Sequence, residues 1–197
     1  MNINIGGYKG FKKYPEKIKL SWKTFDIEPR ADYVYDINSG ESFPFKDGEV
    51  DNYYASMVFE HIHLSNVNFI LTEVFRTLRP GGLIRIVVPD IEIGINAYVE
   101  KELLWLSSST CPTPDKDHPP TALGKLMGWF YTENQFKKGA MRQGHCMCYD
   151  WETLNYYLKN NKFTNIRRLS YGECSPVFTG KDFVRYRSWG LYAEATK

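Results

Sequence analysis

The sequence predicts a single α/β domain built around a parallel β-sheet, and three observations carry that expectation. A chain of 197 residues with 43% hydrophobic and 16% aromatic residues can bury one sizeable core. Short β-branched or aromatic segments recur at close intervals and end in glycine, aspartate or proline. The clearest helical stripe is followed by "RPGG" and then "LIRIVV", a strand, helix, strand order that implies a parallel pair joined by a right-handed crossover.

From the N-terminus, "NINI" is a very short apolar strand ended by Gly6 and Gly7, with Gly10 just beyond. "KIKLSWKTFDIEP" is a second strand up to Asp26, since Pro29 stops regular structure from running on. "ADYVYDI" gives a third strand closing at Asp36, "NSGESFPFKDGEV" is a turn-rich loop, and "VDNYYASMVFEH" contains a fourth strand. A helix starts at Ser65, whose hydroxyl suits an N-cap, and sets Val67, Ile70, Leu71, Val74, Phe75 and Leu78 on one stripe. Pro80 cannot continue it, and Gly81 with Gly82 permits the reversal into a fifth strand that ends at Pro89 and Asp90.

Residues 91–145 read as an insertion, with helices over "GINAYVEKELLWL" and "TALGKLMGWFYTENQF" around the loop "SSSTCPTPDKDHPP". Such a segment forms a helical cap over the sheet edge. Asp150 then caps a helix through Leu154, Tyr157 and Leu158, and "FTNIRRLSY" and "RSWGLYAEAT" supply the sixth and seventh strands. Residues 1–197 are thus one domain, with 91–145 as its substrate-binding insertion.

Composition sets bounds on partners. A formal net charge of +2 does not call for nucleic acid or a membrane surface, and no apolar run reaches the length of a membrane span. The N-terminus has no apolar signal core, so a cytoplasmic protein is expected. Cys111, Cys146, Cys148 and Cys174 are accordingly expected as thiols.

In parallel sheets ligands bind at the carboxyl ends of the strands, so the residues there are the ones to inspect. Gly6 and Gly7 let the backbone approach a nucleoside, or make an ordinary turn. Asp26 can accept from both hydroxyls of a ribose, or cap a turn. Asp36 can accept from an adenine amino group, or start an Asx-turn. Asp90 can orient a substrate hydroxyl, or close a "PD" turn. His145, in "RQGHCMCYD", is a candidate base or acceptor-positioning residue, against the alternative of a histidine bonded to backbone.

The series "NINIGG", "FDIEP", "YDINSGESFPFKDGEVDNYYASMVFEHI", "LTEVFRTLRPGGLIRIVVPD" and "LYAEATK" resembles class I S-adenosylmethionine-dependent methyltransferases, especially their compact type-11-like group. The resemblance implies a Rossmann-like, seven-stranded, mostly parallel sheet whose last strand is antiparallel. It also implies S-adenosylmethionine as cofactor and S-adenosylhomocysteine as product. Gly6 and Gly7 would meet the methionine part, Asp26 with Ile27 the ribose, Asp36 with Ile37 the adenine, and Ser56 and Met57 the sulfonium end, with His61 also among the contacts. The chain departs from the pattern in reading "GGYKG" where "GxGxG" is usual and in its shortened N-terminus. A cover from the cap or from a second subunit is therefore expected, and a homodimer with it.

"EHIH" invites a metal reading, with Glu60, His61 and His63 close in sequence and His145 available from afar. Some class I methyltransferases bind a divalent ion through an acid three positions before such a pair, which is Met57 here. "HCMC" has no second cysteine pair at zinc spacing. No metal is expected.

The run "FKKGAMRQGH" carries Lys137, Lys138, Arg142 and His145 without an acid, and Arg142 with His145 is the expected substrate-binding pair. The function expected is methyl transfer, with oxygen favoured, to a small anionic acceptor: a phosphorylated, phosphoramidate-type or carboxylated metabolite or a surface-polysaccharide precursor. His145 and Asp90 are the catalytic candidates. The alternatives are a non-catalytic cofactor-binding scaffold subunit and a nicotinamide-dependent oxidoreductase. "GGYKG" lacks the third glycine of G-x-G-x-x-G, which disfavours the second. No RNA-binding module is visible.

Overall fold

The computed structural model describes residues 1–7, 22–102, 121–132, 135–137 and 140–197, with the side chains between 133 and 142 outside that description. Its centre is a seven-stranded sheet in the order β3-β2-β1-β4-β5-β9-β8. The strands are β1 (Asn2–Ile5), β2 (Lys23–Asp26), β3 (Tyr33–Val34), β4 (Val50–Ser56), β5 (Leu78–Pro89), β8 (Thr164–Leu169) and β9 (Gly190–Thr196). Pairings from β3 through β5 are parallel, and β9 runs antiparallel to both β5 and β8. This is the expected mostly parallel sheet with its last strand reversed.

A parallel sheet must be covered on both faces, and β4 shows how the sequence does it. Tyr53 and Tyr54 are neighbours, both fully buried, and point to opposite sides. Tyr53 joins the main core and shares a 2.7 Å hydrogen bond with Thr77 of α1 (Leu64–Thr77). Tyr54 packs with Trp22 and Phe178 on the other face and donates to the Lys181 carbonyl at 3.0 Å.

The α1 stripe buries Val67, Ile70, Leu71 and Val74, as the spacing predicts, but the helix begins one residue before Ser65. Its N-cap is His63, which makes no side-chain cap bond. Asn38, from a distant loop, supplies the order instead: its Oδ1 accepts the His63 amide at 2.8 Å, and its carbonyl accepts from Asn66 Nδ2 at 3.0 Å. At the other end β5 already pairs with β4 at Leu78, then slips register before Leu83 to absorb "RPGG". Gly82 is required there, since a Cβ would lie 2.7 Å from the Asp51 carbonyl oxygen.

The third strand is shorter than "ADYVYDI" suggests. Tyr35 leaves the sheet to stack on Phe25 at 4.8 Å, and Asp36 starts an Asx-turn to the Asn38 amide. Helices α2 (Ile91–Val99) and α3 (Ala122–Phe130) occupy the expected insertion and pack on each other. Gly94 of α2 comes so close to Trp129 of α3 that a Cβ would meet the indole at 3.0 Å. α2 ends at Val99, residues 103–106 of its expected run lying outside the described residues, and α3 ends at Phe130, beyond which β6 (Gln135–Lys137) pairs antiparallel with β7 (Ala140–Arg142). Helix α4 (Trp151–Asn160) is capped by Asp150, whose Oδ1 accepts the Thr153 amide at 2.7 Å. Among the described residues no helix is long and apolar enough to cross a membrane.

Candidate active site

The carboxyl ends of β1, β2 and β4 lie side by side, because β1 is parallel to both neighbours. Gly6 leaves β1 at φ +78° while its amide still donates to the Phe25 carbonyl at 2.9 Å. The backbone there is packed against Val58, just beyond β4: a Cβ on Gly6 would stand 2.2 Å from Val58 Cγ2. Gly7 follows, buried. The glycine therefore serves the approach of one loop to another and leaves exposed backbone at the strand end.

Asp26 closes β2, and its Oδ1 accepts the Glu28 amide at 2.8 Å, which fixes the carboxylate at the edge. Ile27 is 47% exposed beside it. Asp36 is exposed two residues past β3 and Ile37 packs partly against the core. Ser56 ends β4, and Met57 follows at φ 56°, its amide donating to the Val87 carbonyl at 2.8 Å. The left-handed turn at Met57 redirects the chain into a 3-10 turn over Phe59–His61. An acidic acceptor at the β2 end, exposed backbone at the β1 end and an apolar Ile27 beside them form a donor set that fits a nucleoside carrying an amino-acid tail.

The turn after β4 is clamped by a segment from far along the chain. The Glu60 carbonyl accepts the amides of Cys146 and Met147 at 2.9 and 3.2 Å. His61 Nδ1 lies 3.1 Å from the Gly144 carbonyl, a geometry in which the ring N–H donates. His145 is anchored by its backbone, which donates to Thr132 Oγ1 at 2.7 Å and accepts from the Thr132 amide at 3.1 Å. The two imidazoles meet edge to face with centroids 4.9 Å apart. Glu60 Oε1 stands 4.0 Å from His61 Nε2.

Burial governs the charge of this group. It pushes the Glu60 carboxyl up to about 8 and the His145 imidazole down to about 4, and it lowers His61 as well. Both histidines are therefore neutral at physiological pH and hold lone pairs. Glu60, 2% exposed, is read in the sequence only as part of a metal cluster that is not expected to form, and is not among the expected site residues. Its position in "EHIH" was the available signal. His63 turns away from the pair and bonds Gln143 at 2.7 Å.

Two expected residues lie elsewhere in character. Asp90 is buried as the N-cap of α2, with Oδ1 accepting the Glu92 amide at 3.2 Å and Oδ2 paired with Arg168 at 2.9 Å. Its carboxylate is engaged in holding α2 and β8 to the strand end. Arg142 closes β7, three positions before His145, and its side chain lies outside the described residues.

A family model described as "Methyltransferase domain", of the type-11 set, matches residues 13–86. No curated protein matches the chain. Among solved structures, an S-adenosylmethionine-dependent methyltransferase of Methanosarcina mazei is similar at 15% identity and a TM-score of 0.55, over 100% of this chain and 91% of that one. One from Archaeoglobus fulgidus is similar at 14% identity and 0.55, covering 100% and 85%. A Thermotoga maritima protein described as a possible histamine N-methyltransferase is similar at 15% identity and 0.53, covering 100% and 81%. At these identities the likeness is one of fold.

Proposed function

We propose that this chain is a class I S-adenosylmethionine-dependent methyltransferase of the type-11 group, as its family match and fold support, and that it methylates an oxygen of a small anionic acceptor placed beside His61 and His145. The observation that carries the reading is the meeting of the β1, β2 and β4 ends with the Glu60, His61 and His145 group a few residues beyond. S-adenosylmethionine, when bound, supplies an electrophilic methyl on a sulfonium and leaves as S-adenosylhomocysteine.

What the chain must add is alignment of nucleophile, methyl carbon and sulfur, since in-line displacement depends on a near-attack geometry of about 3–3.5 Å. Gly6, exposed, and Gly7, buried beside it, take the amino-acid tail against their backbone. Asp26 and Ile27 take the ribose, Asp36 and Ile37 the adenine, and Ser56 with Met57 the sulfonium end. His145, neutral and anchored by Thr132, can accept the proton of a hydroxyl acceptor or orient an oxygen that is already anionic. The basic run that ends in Arg142 leads directly into His145, which supports a phosphoryl or carboxylate group on the acceptor. Asp90 acts from behind the strand end, as a positioning residue for α2.

Calorimetric titration separates the readings. S-adenosylmethionine should bind and NAD should not, and Asp26→Ala should lose the cofactor because its ribose acceptor is gone. Release of S-adenosylhomocysteine with phosphorylated or carboxylated acceptors then distinguishes an enzyme from a scaffold. Arg142→Ala should raise the acceptor KM and leave cofactor affinity unchanged. Binding of NAD in place of S-adenosylmethionine would overturn the assignment.

A further inference from the structure

The group beyond β4 holds lone pairs that the fold leaves unused. Donor atoms of Glu60, His61 and His145, one from each residue, all lie within 4.8 Å of one another. Glu60 Oε2 and His145 Nδ1 are buried without a hydrogen-bond partner. Interiors seldom leave such atoms unmatched, and each costs free energy unless something fills it. Among the described residues the one basic group within 4.0 Å of the Glu60 carboxyl is the His61 imidazole, with Nε2 at 4.0 Å from Oε1. A carboxyl group 2% exposed with Oε2 unmatched can give up its proton to a cation that takes its place.

The surroundings of the imidazoles point the same way. His61 Nδ1 is committed to the Gly144 carbonyl, so its lone pair lies on Nε2, the nitrogen nearest Glu60. A ring N–H held by a backbone carbonyl is the arrangement that orients a metal-bound histidine. The carbonyls of Trp129 and Gly128, at the end of α3, act on the His145 ring. The elements that carry these donors are fixed to each other, because the Glu60 carbonyl bonds the backbone of Cys146 and Met147.

We propose that Glu60, His61 and His145 form a binding site for a divalent transition-metal ion of the zinc type, through one carboxylate oxygen and one nitrogen of each imidazole. Two imidazoles and a carboxylate suit zinc, which takes nitrogen at about 2.0–2.1 Å and oxygen at about 2.0–2.2 Å, whereas magnesium and calcium favour oxygen ligands. Donors now 4.0 Å apart at His61 and Glu60 need to close by well under an ångström to share such an ion. Three protein ligands leave a fourth position for water or, where the methyltransferase reading holds, for the acceptor oxygen.

The full chain, stripped by chelator and dialysed, should bind one Co²⁺ per chain in equilibrium dialysis. The bound ion should show the intense visible absorption of a four-coordinate site, and Zn²⁺ should displace it. Glu60→Gln and His145→Asn should each weaken Co²⁺ binding by about 100-fold or more, and His63→Asn, outside the trio, should leave it unchanged. S-adenosylmethionine affinity measured on the same samples reports whether each variant is folded, and unchanged Co²⁺ affinity in both ligand variants overturns the site. A wild-type chain that binds no Co²⁺ overturns it whatever the variants do. Co²⁺ binding without any S-adenosylmethionine binding supports the metal site and refutes the cofactor reading instead.

Discussion

Gly6 and Val58 occupy one another's space: a single methyl group on the glycine would lie 2.2 Å from Cγ2 of the valine. The glycine also sits at φ +78°, a conformation that costs other residues about 1–2 kcal/mol. Gly6→Ala combines that strain with an overlap, which in packed interiors costs about 1–3 kcal/mol. The variant should be destabilised by about 2–4 kcal/mol in urea melts and should bind S-adenosylmethionine more weakly. Gly6→Ala with Val58→Ala should recover the steric part and retain the conformational part. Wild-type stability in the single variant would show that the β1 loop is not held against the turn after β4.

Arg85 is fully buried on β5 and is held by two carboxylates, with Nη2 2.5 Å from Asp182 and Nη1 2.8 Å from Glu194. Arg167 and the hydroxyl and amide of Ser175 also bond the Glu194 carboxylate. The network ties β5 and β9 to the loop that covers the second face of the sheet. Removing the cation leaves Asp182 without its arginine and Glu194 with only the half-exposed Arg167, and breaking such a pair from one side costs about 3–5 kcal/mol. Arg85→Ala should lower stability by that order in chemical denaturation. A loss below about 1 kcal/mol would mean that water reaches the carboxylates.

Glu73 links α1 to the loop before β4. Its carboxylate accepts the Phe43 amide at 2.7 Å and pairs with Arg76, and these bonds hold its pKa below the usual value. The sign follows from linkage: a depressed carboxyl adds stability above its unfolded value of 4.5, and that stability is lost as pH falls through the folded value. Glu73→Gln should cost about 1.5–3 kcal/mol at neutral pH, the range for hydrogen bonds to charged groups. It should also flatten the acid limb of the stability profile below pH 4.5. An acid limb identical to wild type would remove Glu73 from that role. Phe43 packs on Phe25 and Tyr35, so the variant should also loosen the strand ends that carry Asp26 and Asp36.

What was legible in the sequence follows from how local each cause is. The α1 stripe through Val74 and the Asp150 cap depend on residues within a turn or two and are where the pattern puts them, whereas Leu78, expected on the helix, opens β5, and "RPGG" lies at that strand's register slip. Ser65 failed as a cap because Asn38, from another loop, orders the helix entry. The β6–β7 hairpin was missed because "NQFKKGAMR" is polar and carries no alternating apolar face. The site behaves likewise. Glycines and aspartates at strand ends can be read one segment at a time, but the meeting of His61 with the Gly144–His145 segment spans 83 residues and exists only once the return segment bonds the Glu60 carbonyl. The sequence sets Met57 where an acid would favour metal at "EHIH"; the chain forms a 3-10 turn there, which keeps His61 with Glu60 and sends His63 to Gln143.

Asp90 divides its two oxygens between the α2 cap and Arg168. Burial raises its pKa, with Arg168 pulling the other way. A raised carboxyl loses stability as pH climbs from its unfolded value of 3.8, because the folded state holds its proton longer. Asp90→Asn keeps an oxygen for the Glu92 amide, removes that ionisation cost, and gives up an ion pair whose arginine is 45% exposed and so worth little in water. Its stability at neutral pH should fall within about 1 kcal/mol of wild type, whereas Asp90→Ala loses the cap and should cost about 1–2 kcal/mol. If Asp90 positions α2 and does not touch the acceptor, kcat of Asp90→Asn stays within a few-fold of wild type across the pH profile. A collapse of kcat with stability and cofactor affinity intact would return Asp90 to the catalytic machinery. Steady-state kinetics and urea melts on the two variants distinguish these outcomes.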